Sequence, residues 1–237
     1  MKAVILAGGF GTRLKPMLDG CSKPMALVHG VPFLEYLISI LKRQQVNKIV
    51  LCVHFLADQI MKHFGNGSRF GVSIEYSVED KPLGTAGAIK NAEEYLEKTF
   101  CVLNGDTYLE INLHDLLQYH RIKNGIATMS LVRVQNTERY GSIKLAEDGR
   151  ITGFFEKVQA APVREGYINA GVQVFEKHLL DYVANDIAVS LEKQIFPEIV
   201  KRNLPLYGYV TSGYFIDIGV PEDYLRFQNE APRIAKA

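Results

Sequence analysis

Three glycines, at positions 8, 9 and 11, stand within LAGGFGTRLKP (Leu6 to Pro16), followed closely by Arg13 and Lys15. Glycine accepts positive φ and presents no Cβ, so successive backbone N–H groups of such a loop can wrap phosphate oxygens, and the two cations add charge to the same task. The spacing excludes two well-known versions of this loop. A dinucleotide fingerprint needs a third glycine, where Leu14 stands, and an acidic residue about twenty positions on, where the chain has His29. A Walker A loop needs Gly-Lys followed by Ser or Thr, whereas Gly11 is followed by Thr12 and Arg13. Shortly afterwards, SKPMALV sets Lys23 directly before Pro24 and an apolar run, which predicts an ammonium fixed at a loop–strand junction near the glycine loop.

These groups need a scaffold, and the hydrophobic pattern describes one. KAVILA (2–7), KIVLCV (48–53) and FCVLN (100–104) are continuous apolar runs, as expected of strands buried on both faces of a parallel sheet. Leu34, Leu37, Ile38 and Leu41 fall on one helical stripe, and Val53, Leu56, Ala57, Ile60, Met61 and Phe64 on a second. A third helix is expected to open near Gly84. A fourth carries Leu113, Leu116, Leu117 and His120 behind the N-cap Asn112. The glycine loop directly follows the first strand, and open α/β sheets bind ligands outside the carboxyl ends of their strands. After residue 125 the pattern changes to short strands: IATMSLVRV, GSIKL, ITGFFE, YINAGVQVF and LYGYV. Helices return with Leu191, Ile195, Phe196, Ile199 and Val200, and again behind Pro221, where Glu222 and Asp223 favour a first turn. The expected fold is α/β: one Rossmann-like domain over 1–237, with a mainly parallel mixed central sheet flanked by helices, a nucleotide-binding half (1–110) and a more β-rich second half (111–237).

Composition narrows the partners. The 27 basic and 26 acidic residues nearly cancel, so no strong overall field attracts nucleic acid or an anionic membrane, and any anion is bound locally. The longest uncharged stretch, Asn203 to Ile216, is interrupted by Pro205, Gly208 and Gly213, so no membrane span is expected. The start MKAVILAGGFGTR is broken by two glycines and offers no cleavage pattern, so no signal peptide is expected. Cys21, Cys52 and Cys101 form no CxxC pair, in keeping with a reducing cytoplasm, and the apolar surroundings of Cys52 and Cys101 mark them as core residues. The twelve Tyr and twelve Phe are scattered through apolar segments, which assigns them to the core rather than to a base-stacking platform.

GGFGTRL followed closely by KPM resembles the signature of the sugar-1-phosphate nucleotidylyltransferases, and the likeness extends over essentially the whole chain. The resemblance implies that Leu6, Ala7, Gly8, Gly9, Gly11, Thr12 and Arg13 seat a nucleoside triphosphate, with Arg13 and Lys23 as the catalytic cations. In VLNGDTY it makes Asn104 a nucleotide contact and Asp106 a Mg²⁺ ligand. Asp217 of FIDIG matches the second metal carboxylate, and Mg²⁺ is usually held by one or two carboxylates plus substrate phosphates. EDKPLGTAGAI corresponds to the nucleoside-binding segment, which brings in Glu79, Pro82, Gly84 and Thr85. Thymidylyl and uridylyl members often carry glutamine near the place of Gly87, so the glycine implies room for a larger base. Glu79 or Asp80 would then accept the adjacent donors of guanine. Tyr140, Gly141, Glu156, Lys157 and Asn169 match the sugar-phosphate side, which assigns 111–237 to that substrate.

The resemblance thus implies GTP and a sugar 1-phosphate as partners, pyrophosphate as product, Mg²⁺ as cofactor and attack by the sugar phosphate in line at the α-phosphorus. A homo-oligomer is compatible with it. The compact length resembles the D-glycero-D-manno-heptose 1-phosphate guanylyltransferases, whose GDP-heptose feeds bacterial capsule, lipopolysaccharide or S-layer glycans; GDP-mannose formation is the runner-up. A nicotinamide oxidoreductase would need the missing third glycine and acidic ribose partner. A non-catalytic nucleotide-sugar sensor would have lost one of Arg13, Lys23, Asp106 and Asp217, all of which are present.

Overall fold

The computed structural model describes residues 1–18, 20–137, 140–155 and 165–234. The first half runs β1 (Lys2–Leu6), a small hairpin of β2 (Leu27–Val28) and β3 (Val31–Pro32), α1 (Phe33–Arg43), β4 (Lys48–Val53), α2 (Ala57–Phe64), β5 (Ser73–Val78), α3 (Gly84–Asn91), β6 (Thr99–Asn104), β7 (Thr107–Leu109) and α4 (Leu113–Lys123). The second adds β8 (Ala127–Val134), β9 (Ser142–Leu145), β10 (Ile151–Phe155), β11 (Gly166–Glu176), α5 (Phe196–Lys201), β12 (Leu206–Val210), β13 (Phe215–Asp217) and α6 (Pro221–Ile234). The central sheet is ordered β10-β9-β11-β6-β1-β4-β5, with β8 also on β11 and β12 on β8. Strands β6, β1, β4 and β5 are mutually parallel, whereas β11 runs antiparallel to β6, β8 and β9, so the sheet is mixed as expected.

Both faces of the first strands are buried, which explains their unbroken apolar sequence. Ala3 and Ile5 of β1 and Ile49, Leu51 and Val53 of β4 join one core with α1, α2, α4 and α6. Val4, Val50 and Cys52 face the other way, into a second core with α3 and α5. Cys52 and Cys101 are fully buried, and burial pushes the Cys101 thiol up to about 12. The Asn112 cap is observed, with its side chain accepting from His114 N and Asp115 N. Among the described residues no helix is long and apolar enough to cross a membrane.

Two expectations need correction. The second helix begins at Ala57, not at Val53: Val53 pairs with Val78 in the parallel ladder, and Leu56 has the left-handed φ of 55° at the helix start. Strand β5 was not expected. Its SIEYSV alternates polar and apolar residues, and as the sheet edge it leaves Glu75 and Val78 exposed, so it lacks the continuous apolar run of its neighbours.

The chain steps outward from β1 to β4 to β5, then returns to place β6 on the other side of β1. Such a reversal opens a crevice at the carboxyl ends of the two strands concerned. Leu6 and Asn104 are those two ends, and they are register partners.

Candidate active site

The crevice at β1 and β6 is a cleft of about 350 Å³. Ala7 N still bonds Cys52 O at 2.8 Å, which ties the first residue after β1 to the ladder, and buried Leu14 closes the loop through its N–H to Gly11 O at 3.0 Å. Between these anchors the backbone passes close to both walls. A Cβ on Gly8 would lie 3.1 Å from Glu79 Oε1, and one on Gly11, whose φ is +61°, 3.0 Å from the Lys23 Cβ. Leu6, Gly8, Gly9, Glu79, Pro82, Gly84, Thr85, Asn104 and Asp106 all line the cleft. Ala7 is in the core, 1% exposed, while Gly11, Thr12 and Arg13 stand outside the lining, Gly11 against Lys23.

Glu79 is buried, and its Oε2 accepts the Leu83 N–H at 2.9 Å, closing the turn that starts α3. Burial is the main influence on this carboxyl and raises its pKa, against the lowering effects of the Leu83 amide and His54. Asp80 is exposed and outside the lining. Gly87 does not open room for a base. Its place is fixed by packing, because a Cβ there would meet Ile187 O at 2.9 Å, and its N–H bonds Val189 O at 3.2 Å. The cleft also contains a residue that the sequence assigned to the core: Phe10 lies on the glycine loop, 47% exposed, with its ring edge-on to His54 at 5.7 Å.

At the mouth of the cleft the four expected charged residues meet. Lys23 Nζ donates to Asp106 Oδ2 at 2.6 Å. Asp106 O accepts from Ile218 N at 2.9 Å, and Thr107 pairs with Asp217 across the β7–β13 ribbon, which sets the two aspartates side by side at the end of that ribbon. Asp217 Oδ1 accepts the Gly219 N–H at 2.7 Å; a Cβ on Gly219 would lie 2.7 Å from that oxygen and 3.6 Å from Arg13 Nη2. Burial first, and the Asp106 charge second, push the Asp217 carboxyl up to about 6, with the Gly219 amide, Lys23 and Arg13 pulling the other way. Two repelling carboxylates held together fit a divalent cation. Mg²⁺ is usually held by one or two carboxylates and draws its other ligands from water and phosphate.

A second pocket, about 300 Å³, opens in the β-rich half. Its floor holds the stacked rings of Phe154 and Phe196, 5.8 Å apart and inclined by 15°. Tyr140, Gly141 and Asn169 line it as expected. Asn169 Oδ1 accepts from Gly171 N at 2.9 Å and Gln173 Nε2 at 3.0 Å, an arrangement that orients its amide. Gly171, whose N–H Asn169 accepts, passes so close to Thr107 that a Cβ on it would lie 2.9 Å from the Thr107 Cβ, and Thr107 follows Asp106 and pairs with Asp217, so the Asn169 wall of the pocket adjoins the carboxylates. Glu156 and Lys157 lie outside the described residues. Glu192 and Lys193 also line the pocket, and sequence reasoning missed them. They sit between Leu191 and Ile195 of an apolar stripe with helical spacing, where polar residues ordinarily form the solvated face; a turn of π helix over Leu191–Ile195 breaks that rule.

Comparison with known proteins places this geometry. The chain is 36% identical over 230 residues to a D-glycero-alpha-D-manno-heptose 1-phosphate guanylyltransferase of Campylobacter jejuni, with 96% of this chain and 98% of the relative covered. It is 37% identical to a mannose-1-phosphate guanylyltransferase of Mycobacterium tuberculosis, covering 94% of this chain but 62% of that protein's length. The crystal structure of HddC from Yersinia pseudotuberculosis complexed with GMP-PN superposes with a TM-score of 0.85 at 34% identity, covering 97% of this chain and 99% of that one. The profile of the nucleotidyl transferase family matches residues 2–233, and the chain belongs to that family of enzymes.

Proposed function

We propose that the protein transfers GMP from GTP to D-glycero-α-D-manno-heptose 1-phosphate, giving GDP-heptose and pyrophosphate. The observation that carries this is the cluster of Arg13, Lys23, Asp106 and Asp217 between two recesses, one walled by the glycine loop and one floored by aromatic rings. Residues 1–110 serve the nucleotide and 111–237 the sugar phosphate. The guanine preference is supported by the similarity to guanylyltransferases and by Glu79, an acidic side chain in the wall of the cleft, whose Oε1 faces Gly8. Of the two acidic candidates Asp80 is set aside because it is outside the cleft.

Both substrates are polyanions, so the barrier is dominated by bringing two phosphates together. A sugar-phosphate oxygen attacks the α-phosphorus, a new P–O bond forms, the bond to the β-phosphate oxygen breaks, and its electron pair leaves with pyrophosphate. The nucleophile is already ionised, so no side chain has to remove a proton. Backbone N–H groups of Gly8, Gly9 and Gly11 orient the triphosphate, while Arg13 and Lys23 offset charge on the α-phosphate and the departing pyrophosphate. Asp106 and Asp217 are the residues that would hold Mg²⁺, which when bound supplies Lewis-acid charge stabilisation to the phosphates. Tyr140, Gly141 and Asn169 receive the sugar; Glu156 and Lys157, a sugar-hydroxyl acceptor and a phosphate partner, complete the proposed set. The enzyme acts in the cytoplasm, and its product feeds bacterial surface glycans.

GDP-mannose formation is the second reading, favoured by the similarity to the mycobacterial mannose-1-phosphate enzyme. A matrix of GTP, ATP, UTP and dTTP against heptose, mannose, glucose and N-acetylglucosamine 1-phosphates, followed by pyrophosphate release, tests both. The expected result is release with GTP and heptose 1-phosphate above all other pairs. Equal turnover of UTP or dTTP contradicts the guanine assignment, and preference for mannose 1-phosphate replaces the first reading by the second.

A further inference from the structure

The rim between the cleft and the pocket carries a hydrogen-bond relay. Thr85, in the first turn of α3, lines the cleft, and Glu192 lines the pocket. Thr85 Oγ1 donates to Glu192 Oε2 at 2.9 Å and accepts the Leu191 N–H at 2.8 Å. Ser190 Oγ donates to the same Oε2 at 2.9 Å and accepts the Lys193 N–H at 3.2 Å. A hydroxyl has one proton, and here both protons point at one carboxylate oxygen. The backbone holds the two segments in register as well, since Ala86 N bonds Val189 O at 2.9 Å and Val189 N bonds Leu83 O at 2.8 Å. Gly84, with φ of +70°, leaves the needed space, because a Cβ there would come within 2.7 Å of Val189 O. Among the described residues no hydrogen bond engages Glu192 Oε1. That oxygen belongs to an exposed side chain at the wall of a pocket whose floor is the Phe154–Phe196 stack.

We propose that Glu192 is a sugar-recognition residue: Oε1 accepts hydroxyls of the pyranose ring, and Thr85 acts as a positioning residue that fixes the carboxylate from the nucleotide side. The inference rests on a sugar 1-phosphate being the second substrate. The chemistry fits that class, because the half-buried Phe154 ring, stacked on buried Phe196, can cover the apolar face of a sugar ring while a fixed carboxylate accepts its hydroxyls. One polar group that is placed in advance confers more selectivity than one that must be ordered on binding.

Pyrophosphate-release kinetics with heptose and mannose 1-phosphates, on wild type, Glu192→Gln, Thr85→Val and Thr85→Ser, test it alongside calorimetric binding of the same sugar phosphates. Glu192→Gln is expected to raise the sugar-phosphate KM and Kd about tenfold, the loss expected for a charge-assisted hydrogen bond, with the nucleotide KM within about twofold of wild type. Thr85→Val should raise the sugar-phosphate KM about threefold, and Thr85→Ser, which keeps the hydroxyl, should restore it. Sugar-phosphate KM and Kd unchanged in Glu192→Gln overturn the recognition role. A Thr85→Val variant that shifts only the nucleotide KM overturns the relay. If the wild type binds a sugar phosphate but releases no pyrophosphate, the proposed activity falls while the Kd comparison still decides the role of Glu192. If it binds none, both fall.

Discussion

Gly105 shows how one absent side chain sets the site. Its N–H bonds Leu6 O at 3.0 Å, and a Cβ in its place would come within 2.4 Å of that oxygen. The ends of β1 and β6 therefore close on each other only because residue 105 is glycine, and Asp106 is delivered to Lys23 as a result. Gly105→Ala is expected to cost about 1–3 kcal/mol of stability, the usual range for overpacking, because the obstacle is backbone. A urea melt measures that loss, and an unchanged midpoint contradicts the close approach. An Asn-Gly-Asp triplet is also what an ordinary turn contains, and because the constraint on Gly105 is between strands it leaves no local trace in the sequence. The glycine loop and Lys23 were legible because phosphate chemistry demands those residue types at that spacing. Glu192 was not, because its polar character in an apolar stripe matches any solvated helix face.

Contacts between elements also carry stability, and the packing of α4 on β8 and β11 contains a titratable example. Buried His120 places Nδ1 2.8 Å from Thr128 Oγ1 on β8 and Nε2 3.3 Å from Glu176 Oε1 on β11. Burial is the largest influence and lowers its pKa below the ordinary 6.5, against the raising effect of Glu176. The folded state favours neutral imidazole, while the unfolded chain takes up a proton near pH 6.5. Stability is therefore complete above that pH and falls as pH drops from there toward the lower folded value, by at most about 1.4 kcal/mol per pH unit from this group. Urea midpoints at pH 7.5 and 5.5 should show the fall in wild type and a smaller one in His120→Gln; equal falls in both contradict the assignment. Helices α1 and α4 were visible in apolar spacing and in the Asn112 cap, and the start of α3 at Gly84. The start of α2 and the edge strand β5 were not, because Val53 continues a helical spacing while pairing in a ladder, and β5 is apolar on one side only.

At the scale of the whole molecule, the two recesses follow from topology. The reversal beside β1 creates the cleft, the antiparallel strands around β11 create the pocket, and the β7–β13 ribbon carries Asp217 back to the boundary between them. A sequence shows the strands but not their order, so the meeting of residues 106 and 217 was legible only through resemblance to a family. Catalysis depends on that meeting. Pyrophosphate release by wild type and Asp106→Asn, followed against Mg²⁺ concentration at saturating GTP and sugar 1-phosphate, tests it most directly. Wild-type turnover should rise to a plateau with Mg²⁺, and Asp106→Asn should remain at least about 10²-fold slower at any Mg²⁺ concentration, with its urea midpoint close to that of wild type. Turnover of Asp106→Asn within a few-fold of wild type, or wild-type turnover indifferent to Mg²⁺, would contradict the account.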